Sequence, residues 1–366
     1  MRHWTDQRIA GAAGGELVRG LGDRAGSGPA RVVIDSRVVA PGDLFVAIPG
    51  ERVDGGEFAA EALRAGAWGV LAEPPWAREA AATGEGVVIA SEHPVAALGA
   101  LARAWRQDLA AHVIAVTGSV GKTSTKDLIA ALVAPHRTVA ASRANFNTEI
   151  GLPLEVLAAP PGTEVLVLEL AMRGFGQIAE LTAICQPDVG VITNIGPVHL
   201  ELVGSLAGVA KAKAELLEHV PIAIVPADVP ELEPYLRPGL DVVRFGTDVF
   251  LEDFDAPHVR IVARELSVQL DVPFTARHQL VNLLAAVAAA QAAGVEPSGR
   301  VDVSFGALRE ERLELASGAV VINECYNANP LSMRAALDDL ATQAPPGGRR
   351  VAVLGDMLEL GPGEVE

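Results

Sequence analysis

The stretch VIAVTGSVGKTSTKDLIAALV, residues 113–133, decides the fold. Its first five residues are β-branched or apolar and predict a buried strand, and Thr123–Val133 has the apolar spacing of a helix. Between them lies the run Gly118-Ser119-Val120-Gly121-Lys122-Thr123, whose glycines let backbone N–H groups surround an anion at a helix N-terminus. We therefore predict a phosphate-binding loop, with Lys122 on the β- and γ-phosphates and the Thr123 hydroxyl on Mg²⁺.

This loop is shorter than the general phosphate-binding loop. The general loop reads G-x-x-x-x-G-K, whereas only Ser119 and Val120 separate Gly118 from Gly121 here. A plain glycine-rich turn between a strand and a helix is the alternative interpretation. The flanking strand and helix favour phosphate binding, and the short spacing narrows the families that the chain can resemble.

Short β-branched or apolar runs alternate with stretches of helical spacing along the chain. Such alternation is typical of an α/β fold with a mostly parallel sheet. The predicted helices are Thr123–Val133, Ser205–His219 and Leu280–Ala293. The predicted strands are Val32–Ile34, Val113–Thr117, Val165–Leu168, Val189–Thr193, Ala223–Val225, Val320–Ile322 and Val351–Leu354.

Segments that contain proline and glycine suggest divisions of the chain near residues 91 and 310. We therefore expect three domains, residues 1–91, 92–310 and 311–366. The third holds only 56 residues, which is few for an independent α/β domain. We expect this third domain to be incomplete.

Composition excludes several classes of protein. The 366 residues include 29 Lys and Arg against 46 Asp and Glu, and the net charge of −17 argues against a general nucleic-acid-binding surface. No apolar run approaches the length of about 18 residues that a membrane span needs, and the N-terminus lacks the apolar run of a secretion signal. The two cysteines, Cys185 and Cys325, cannot form a disulfide framework, which favours a reducing cytoplasm.

Lysine is rare in this chain. Only four of the 29 basic residues are lysines, namely Lys122, Lys126, Lys211 and Lys213. Lysine differs from arginine because its amine can lose its proton and react. Chance and codon bias are one explanation, and the other is that some of these four positions need an amine.

Polar residues follow two of the predicted strands. Glu169 ends the run Val165–Leu168, and His199 follows Val189–Thr193. Because ligands bind at the carboxyl edge of a parallel sheet, Glu169 is a candidate Mg²⁺ ligand, and His199 could reach the same metal. A strand-end charge and a structural or solvated histidine are the alternatives.

Three further clusters carry polar side chains. Lys211 and Lys213 lie on one amphipathic helix, for which a solvated helix face is the alternative interpretation. His278 and Asn282 open an alanine-rich helix, where they are either caps or nucleotide contacts. Residues 323–330 read NECYNANP and hold more amide and carboxylate groups than a turn requires.

These motifs, in this order, resemble the Mur ligases, the ATP-dependent enzymes that build the cell-wall peptide. The resemblance covers essentially the whole chain. Within the family, YNANP at 326–330 and LGDMLELG at 354–361 point to the branch that adds D-alanyl-D-alanine to UDP-N-acetylmuramoyl-tripeptide. The other matching segments are DSR at 35–37, PGDLFVA at 41–47, TGSVGKTSTK at 117–126, NFNTEIGLPL at 145–154, MRGFGQIAEL at 172–181, TNIGPVHLE at 193–201 and GSLAGVAKAK at 204–213.

The resemblance implies a small N-terminal α/β domain for the UDP-sugar, a central ATPase domain with a mostly parallel sheet, and a partial Rossmann-like C-terminal domain. The implied reaction uses ATP to convert the peptide carboxylate into an acyl phosphate, which the amine of D-alanyl-D-alanine then attacks. The implied cofactors are ATP, two Mg²⁺ ions and a lysine carbamoylated by CO₂. We expect a cytoplasmic monomer that serves peptidoglycan synthesis and binds neither nucleic acid nor membrane.

The resemblance also implies roles for individual residues. Lys122, Glu169, His199 and Lys213 would be catalytic, with Thr123 and Glu169 at one Mg²⁺ and His199 and a carbamoylated Lys213 at a second. The ATP site would consist of Gly118, Ser119, Val120, Gly121, Lys122, Thr123, Ser124, His278, Asn282, Arg312 and Glu324. Substrate contacts would come from Ser36, Arg37, Asn147, Thr148, Asn327 and Asn329.

Some positions depart from the family pattern. Gly56 stands where a histidine is common, Thr148 replaces an asparagine, and Asn323-Glu324 replaces an Asp-Asp pair whose carboxylate touches the ribose. Two other functions stay open. A folylpolyglutamate synthetase-like ligase is one, although the DSR and PGDLFVA segments argue against it because that relative begins with its ATPase domain. The other is a protein that binds ATP and the UDP-sugar without turnover.

Overall fold

The computed structural model describes residues 1–21, 28–143, 145–306, 311–343 and 348–357. These residues form two compact units. The first comprises Met1–Ala111, Asn145–Glu164 and Ala183–Gln186, and the second takes in the described residues of His112–Ala144, Val165–Thr182 and the chain from Pro187 onward. Residues 358–361, half of the LGDMLELG segment, lie outside the described part of the chain.

The first unit contains a five-stranded sheet in the order β1-β5-β4-β3-β2. Strands β2 to β5 run parallel, and β1 pairs antiparallel with β5. Every residue of β3, β4 and β5 is buried, as expected for parallel strands covered on both faces. The strands are β1 Glu16–Arg19, β2 Val32–Val33, β3 Leu44–Val46, β4 Gly69–Ala72 and β5 Val87–Ala90, and the helices, numbered in chain order, are α1 Asp6–Ala12, α2 Ala59–Arg64, α3 Pro74–Ala81, α4 Pro94–Leu109 and α6 Gly151–Ala158.

The second unit contains a ten-stranded sheet in the order β15-β14-β13-β12-β11-β10-β9-β6-β8-β7 and a two-stranded sheet, β16-β17. Its strands are β6 His112–Thr117, β7 Val139–Ala141, β8 Val165–Glu169, β9 Val189–Ile192, β10 Ile222–Pro226, β11 Asp241–Phe245, β12 Val249–Asp255, β13 His258–Ala263, β14 Leu266–Asp271, β15 Gly299–Arg300, β16 Glu311–Glu314 and β17 Val320–Asn323. Its helices are α5 Lys122–Val133, α8 Leu200–Val203, α9 Leu206–Ala214, α10 Arg277–Ala292 and α11 Pro330–Gln343, while α7 Gln177–Cys185 continues into the first unit.

The mostly parallel α/β sheet is confirmed. From β7 to β11 the neighbouring strands run parallel, and β6 lies between β8 and β9. Their carboxyl ends therefore meet at one edge of the sheet, where ligands bind in such folds. The antiparallel meander β12-β13-β14 is not among the predicted elements. Buried and exposed residues alternate along most of β13 and β14, whereas most of β12 is exposed.

The predicted strand Val351–Leu354 is wrong. These residues form no strand in the described part of the chain, and Val353 is 93% exposed. An apolar run becomes a strand only when a neighbouring strand supplies hydrogen-bonding partners, and β17 pairs only with β16 among the described strands. The predicted helix Ser205–His219 is also shorter, because α9 ends at Ala214 and a 3₁₀ turn follows over Glu215–Glu218.

Helix α10 packs against α5 and the sheet in the core of the second unit. Its alanine-rich middle is completely buried, from Leu283 to Ala290. Small side chains let α10 approach α5 closely, where Leu128, Ile129 and Leu132 fill the remaining space. None of the helices in the described ranges is long and apolar enough to cross a membrane.

The carboxylate of Asp108 ties the N-terminal residues to the end of α4. It accepts hydrogen bonds from Trp4 Nε1 at 2.9 Å and Arg8 Nη2 at 2.5 Å, and lies 2.8 Å from His3 Nε2. Burial alone raises the pKa of Asp108, but these hydrogen bonds outweigh it and lower the pKa to about 2. Because the pKa is lower in the folded state, this stabilisation is present above the unfolded pKa and is lost as the pH falls towards 2.

We therefore expect Asp108→Asn to lower the free energy of unfolding by about 1–2 kcal/mol at neutral pH, since the partners of the carboxylate remain while its charge is lost. Urea unfolding at pH 7, 5, 4 and 3 measures this. The difference from the parent should shrink steadily below pH 4. Glu79→Gln, which removes an exposed charge on α3, is the control and should change little. A difference independent of pH would contradict this account.

Candidate active site

The predicted phosphate loop lies between the end of β6 and the start of α5. Gly118 and Gly121 both have positive φ, at +153° and +80°. A Cβ at Gly118 would overlap the Thr193 hydroxyl, and one at Gly121 would lie 2.5 Å from Asn282 Oδ1. Only glycine therefore fits either position, which explains why the sequence places glycine at both.

The loop is fixed by the residues that follow β9, Thr193–Gly196, which we call the clamp segment. Asn194 Oδ1 accepts hydrogen bonds from the backbone N–H groups of Ser119 and Val120, both at 3.0 Å. Thr193 Oγ1 donates to Val120 O at 2.5 Å. The Ser119 hydroxyl accepts from Gly196 N at 2.9 Å and donates to Gly196 O at 3.1 Å. From the matching run at residues 193–201, only His199 is a predicted site residue.

Glu169 and Thr123 meet where β8 ends beside α5. The Thr123 hydroxyl donates to Glu169 Oε2 at 2.7 Å, and both side chains are buried. The Glu169 backbone N–H donates to Ser142 Oγ at 3.0 Å. Two residues predicted for the same Mg²⁺ thus lie in contact, 46 residues apart in sequence.

Lys126 supports this corner of the site. Its amine is buried, donates to Ser142 O at 2.6 Å and lies 2.7 Å from Asp127 Oδ1. Burial raises the pKa of Asp127, the Lys126 charge opposes this, and the nearby charge of Glu169 adds to the increase. Lys126 therefore partly offsets two neighbouring acidic groups, which explains one of the four lysines.

Lys213 is buried on α9, with 2% of its surface exposed, although it is a lysine. Burial lowers the pKa of its amine well below the ordinary value, and the charge of Lys122 lowers it further. Lys122 itself donates from Nζ to Gly118 O at 3.0 Å. The structure thus brings Lys213 into the electrostatic range of the phosphate loop, whereas Lys211 on the same helix is exposed.

His199 directly precedes α8, in the left-handed conformation with φ of +52°. A residue other than glycine adopts this conformation only when its surroundings hold it there. The clamp segment, three residues earlier in the chain, is fixed to the phosphate loop. The backbone at His199 therefore has a defined conformation close to the clamp segment.

Two polar residues of α10 reach the phosphate loop. Asn282 contacts Gly121 and donates from Nδ2 to Gln279 Oε1 at 3.0 Å. Gln279 Nε2 lies 3.4 Å from Ser124 Oγ, to which it donates. Asn282 and His278 are predicted site residues and Gln279 is not, although its spacing of three residues from Asn282 places both on one side of the helix.

The C-terminal candidates lie on the two-stranded sheet and the start of α11. Arg312 is exposed on β16, Glu324 is exposed directly after β17, and Asn327 is exposed just after the turn at residues 325–326. Asn329 Oδ1 accepts from the N–H groups of Leu331 and Ser332, both at 3.0 Å, and so caps α11. Leu331 packs on Gly196 so closely that a Cβ there would overlap it.

The remaining substrate candidates lie in the first unit. Ser36 and Arg37 form a 3₁₀ turn capped by Asp35. The Arg37 guanidinium donates to both carboxylate oxygens of Asp35, at 2.8 and 2.7 Å, and these hydrogen bonds lower the pKa of Asp35 to about 2. Asn147 and Thr148 lie in the same unit, in the segment that leads into α6 at Gly151.

The donor set around the loop suits Mg²⁺. Among the described residues, no cluster of three or more His, Cys, Asp or Glu side chains could hold a metal by itself. Mg²⁺ does not need one, because it binds one or two protein carboxylates, keeps several waters and takes oxygen from substrate phosphates. The Thr123 hydroxyl and the Glu169 carboxylate, 2.7 Å apart beside the loop, supply such oxygens.

Comparison with known sequences is consistent with this geometry. The Mur ligase family, catalytic domain matches residues 30–106, the Mur ligase middle domain residues 116–290, and the Mur ligase, glutamate ligase domain residues 308–366. The chain belongs to the Mur ligase family. The UDP-N-acetylmuramoyl-tripeptide–D-alanyl-D-alanine ligase of Bacillus subtilis is 36% identical over 343 residues, which cover 90% of this chain and 74% of that protein.

Solved structures from the same branch of the family superimpose on this chain. MurF from Acinetobacter baumannii superimposes with a TM-score of 0.87 and 30% identity, over 99% of this chain and 81% of that one. MurF ligase from Thermotoga maritima in complex with ADP superimposes with a TM-score of 0.79 and 31% identity, over 91% and 79%. The three-domain Mur ligase architecture is thereby confirmed, while the bounds at 91 and 310 stay predictions.

We expect Gly121→Ala to weaken nucleotide binding and to lower stability by about 2 kcal/mol, because alanine is strained at positive φ and its Cβ meets Asn282. Thermal unfolding and calorimetric titration with Mg²⁺ and ADP measure the two effects. Gly174→Ala is the control, since a Cβ there meets nothing within 4 Å. Unchanged ADP affinity in Gly121→Ala would contradict the proposed position of the phosphates.

Proposed function

We propose that this chain joins D-alanyl-D-alanine to UDP-N-acetylmuramoyl-tripeptide and converts ATP to ADP and phosphate. The contact between Thr123 and Glu169 at the end of the short phosphate loop carries the proposal, in a chain 36% identical to a ligase named for that reaction. The peptide carboxylate attacks the γ-phosphorus, the bond from that phosphorus to the bridging oxygen breaks, and ADP leaves as an acyl phosphate forms. The amine of D-alanyl-D-alanine then attacks the acyl carbon, phosphate leaves, and the amine gives up a proton as the amide bond forms.

The main obstacle to the first step is repulsion, because the triphosphate and the attacking carboxylate are both negative. Mg²⁺, when bound, would supply positive charge to the phosphate oxygens. Lys122 supplies a further positive charge at the loop, and the N-terminus of α5 adds its partial charge. Thr123 and Glu169 would hold one ion, and His199 and Lys213 would hold a second.

Lys213 can serve as a metal ligand only if its charge changes. The ammonium first loses one proton, and the neutral amine then attacks CO₂, forms a carbamate and releases a second proton, so that a cation becomes an anion. The lowered pKa of Lys213 favours this reaction, because burial and the Lys122 charge both favour the neutral form of the amine. We include the carbamate and the two Mg²⁺ ions in the proposal on this basis.

We expect Lys213→Ala to reduce kcat about 100-fold or more, since it removes one anionic ligand from the site. Formate or acetate should restore part of the activity by occupying the space of the carbamate. Lys211→Ala, two residues away and exposed, is the matched control and should retain activity. Full activity of Lys213→Ala without any added acid would exclude the carbamate.

Ligand binding distinguishes the proposed ligase from a folylpolyglutamate synthetase-like enzyme. A ligand at a hundred times its dissociation constant adds about 2.7 kcal/mol of stability. We expect UDP-N-acetylmuramoyl-tripeptide, with Mg²⁺ and a non-hydrolysable ATP analogue, to raise the melting temperature, and dihydropteroate to have no effect. Stabilisation by dihydropteroate alone would favour the folylpolyglutamate synthetase-like function.

Turnover is the second arm of this experiment. We expect ATP hydrolysis that depends on both the tripeptide substrate and D-alanyl-D-alanine. Binding of both ligands without such hydrolysis would identify the chain as a binding protein.

The proposal also includes a monomeric enzyme in the cytoplasm, with domains 1–91, 92–310 and 311–366. The two free cysteines agree with a reducing compartment.

A further inference from the structure

Asn194 stands out because its side chain occupies two amide donors of a loop that is built to bind phosphate. Its Oδ1 accepts from the N–H groups of Ser119 and Val120, both at 3.0 Å. Its own backbone carbonyl accepts a further bond from Ser119 N at 3.2 Å. A residue that only ended β9 would have no need to bind two successive amides of another segment.

The neighbours of Asn194 also hold the phosphate loop in place. Thr193 holds the Val120 carbonyl, and Gly196 exchanges two hydrogen bonds with the Ser119 hydroxyl. The clamp segment thus binds both backbone and side-chain groups of the loop. Without these bonds a short segment with two glycines would sample many conformations, and nucleotide binding would have to supply the cost of ordering it.

The chemistry of an amide suits this role. The oxygen of Asn194 is neutral, so that it satisfies two N–H groups without placing a negative charge beside the triphosphate. An aspartate would accept the same bonds but would repel the phosphates. Asn194 is not one of the residues predicted to bind ATP, the metal ions or the substrates, so those roles do not explain its hydrogen bonds to the loop.

We propose that Asn194 is a positioning residue that holds the phosphate loop in its nucleotide-binding shape before ATP arrives. This inference rests on the proposed function of the loop. Ordering the loop in advance lowers the cost of binding, so Asn194 acts on nucleotide affinity through the loop backbone.

The experiment compares the parent chain with Asn194→Ala, Asn194→Asp and Asp188→Ala. Asp188 is the matched control, because its Oδ2 accepts from Val113 N at 2.8 Å at the opposite end of β6. Hydrogen exchange of residues 118–121 in the ligand-free protein reports loop order. Calorimetry with Mg²⁺ and ADP gives the dissociation constant, and steady-state kinetics give KM for ATP and kcat.

We expect Asn194→Ala to exchange the loop amides faster and to raise the ADP dissociation constant and the KM for ATP about tenfold, with a smaller change in kcat. Asn194→Asp should keep the loop amides protected and still bind ADP more weakly, which tests the proposal even if the alanine variant fails to fold. Asp188→Ala should lower the melting temperature and leave the loop amides and the ADP affinity unchanged.

Two outcomes would overturn the inference. Parental exchange and ADP affinity in Asn194→Ala would show that the loop holds its shape without this side chain. Tighter ADP binding in Asn194→Ala would show that Asn194 competes with phosphate for the amides. Failure of the parent itself to bind ADP would instead refute the proposed function of the loop.

Discussion

The order β8-β6-β9 in the parallel sheet is the constraint on which the site depends. Neighbouring parallel strands end at the same edge, so the segments that follow them meet there. Thr123 follows β6, Glu169 ends β8 and Asn194 follows β9. Residues separated by 46 and 75 positions in sequence are therefore in hydrogen-bonding distance. A different order of these three strands would leave the phosphate loop without its carboxylate and without its clamp segment.

The environments of Lys126 and Lys213 follow from the same meeting of segments at one edge of the sheet. Lys126 is buried beside Asp127, so its positive charge has a partner. Lys213 is equally buried, but the charge that acts on it is another cation, Lys122. A second buried ammonium beside the loop would be costly and would repel a metal ion. Loss of its proton removes that cost, which connects the unusual burial of Lys213 with the carbamate proposed for it.

Local patterns determined what the sequence could predict. The strand and helix around the loop were predicted to within one residue of β6 and α5, because both carry strong periodicity and the glycines mark the turn. Asn194 and Gln279 are not among the predicted site residues, since the contacts that connect them to Val120 and Ser124 span 74 and 155 residues. The strand at 351–354 was predicted from apolar character alone, and pairing cannot be inferred from one segment.

Leu331 shows how the C-terminal residues are joined to this framework. It packs on Gly196, whose backbone also holds the Ser119 hydroxyl, so the start of α11 and the phosphate loop share one support. The two attachments differ in kind, because the loop is held by directional hydrogen bonds and α11 contacts Gly196 through an apolar side chain. An apolar contact tolerates sliding that a hydrogen bond does not. The loop is therefore held by directional hydrogen bonds from the clamp segment, whereas the start of α11 meets the same Gly196 through an apolar contact.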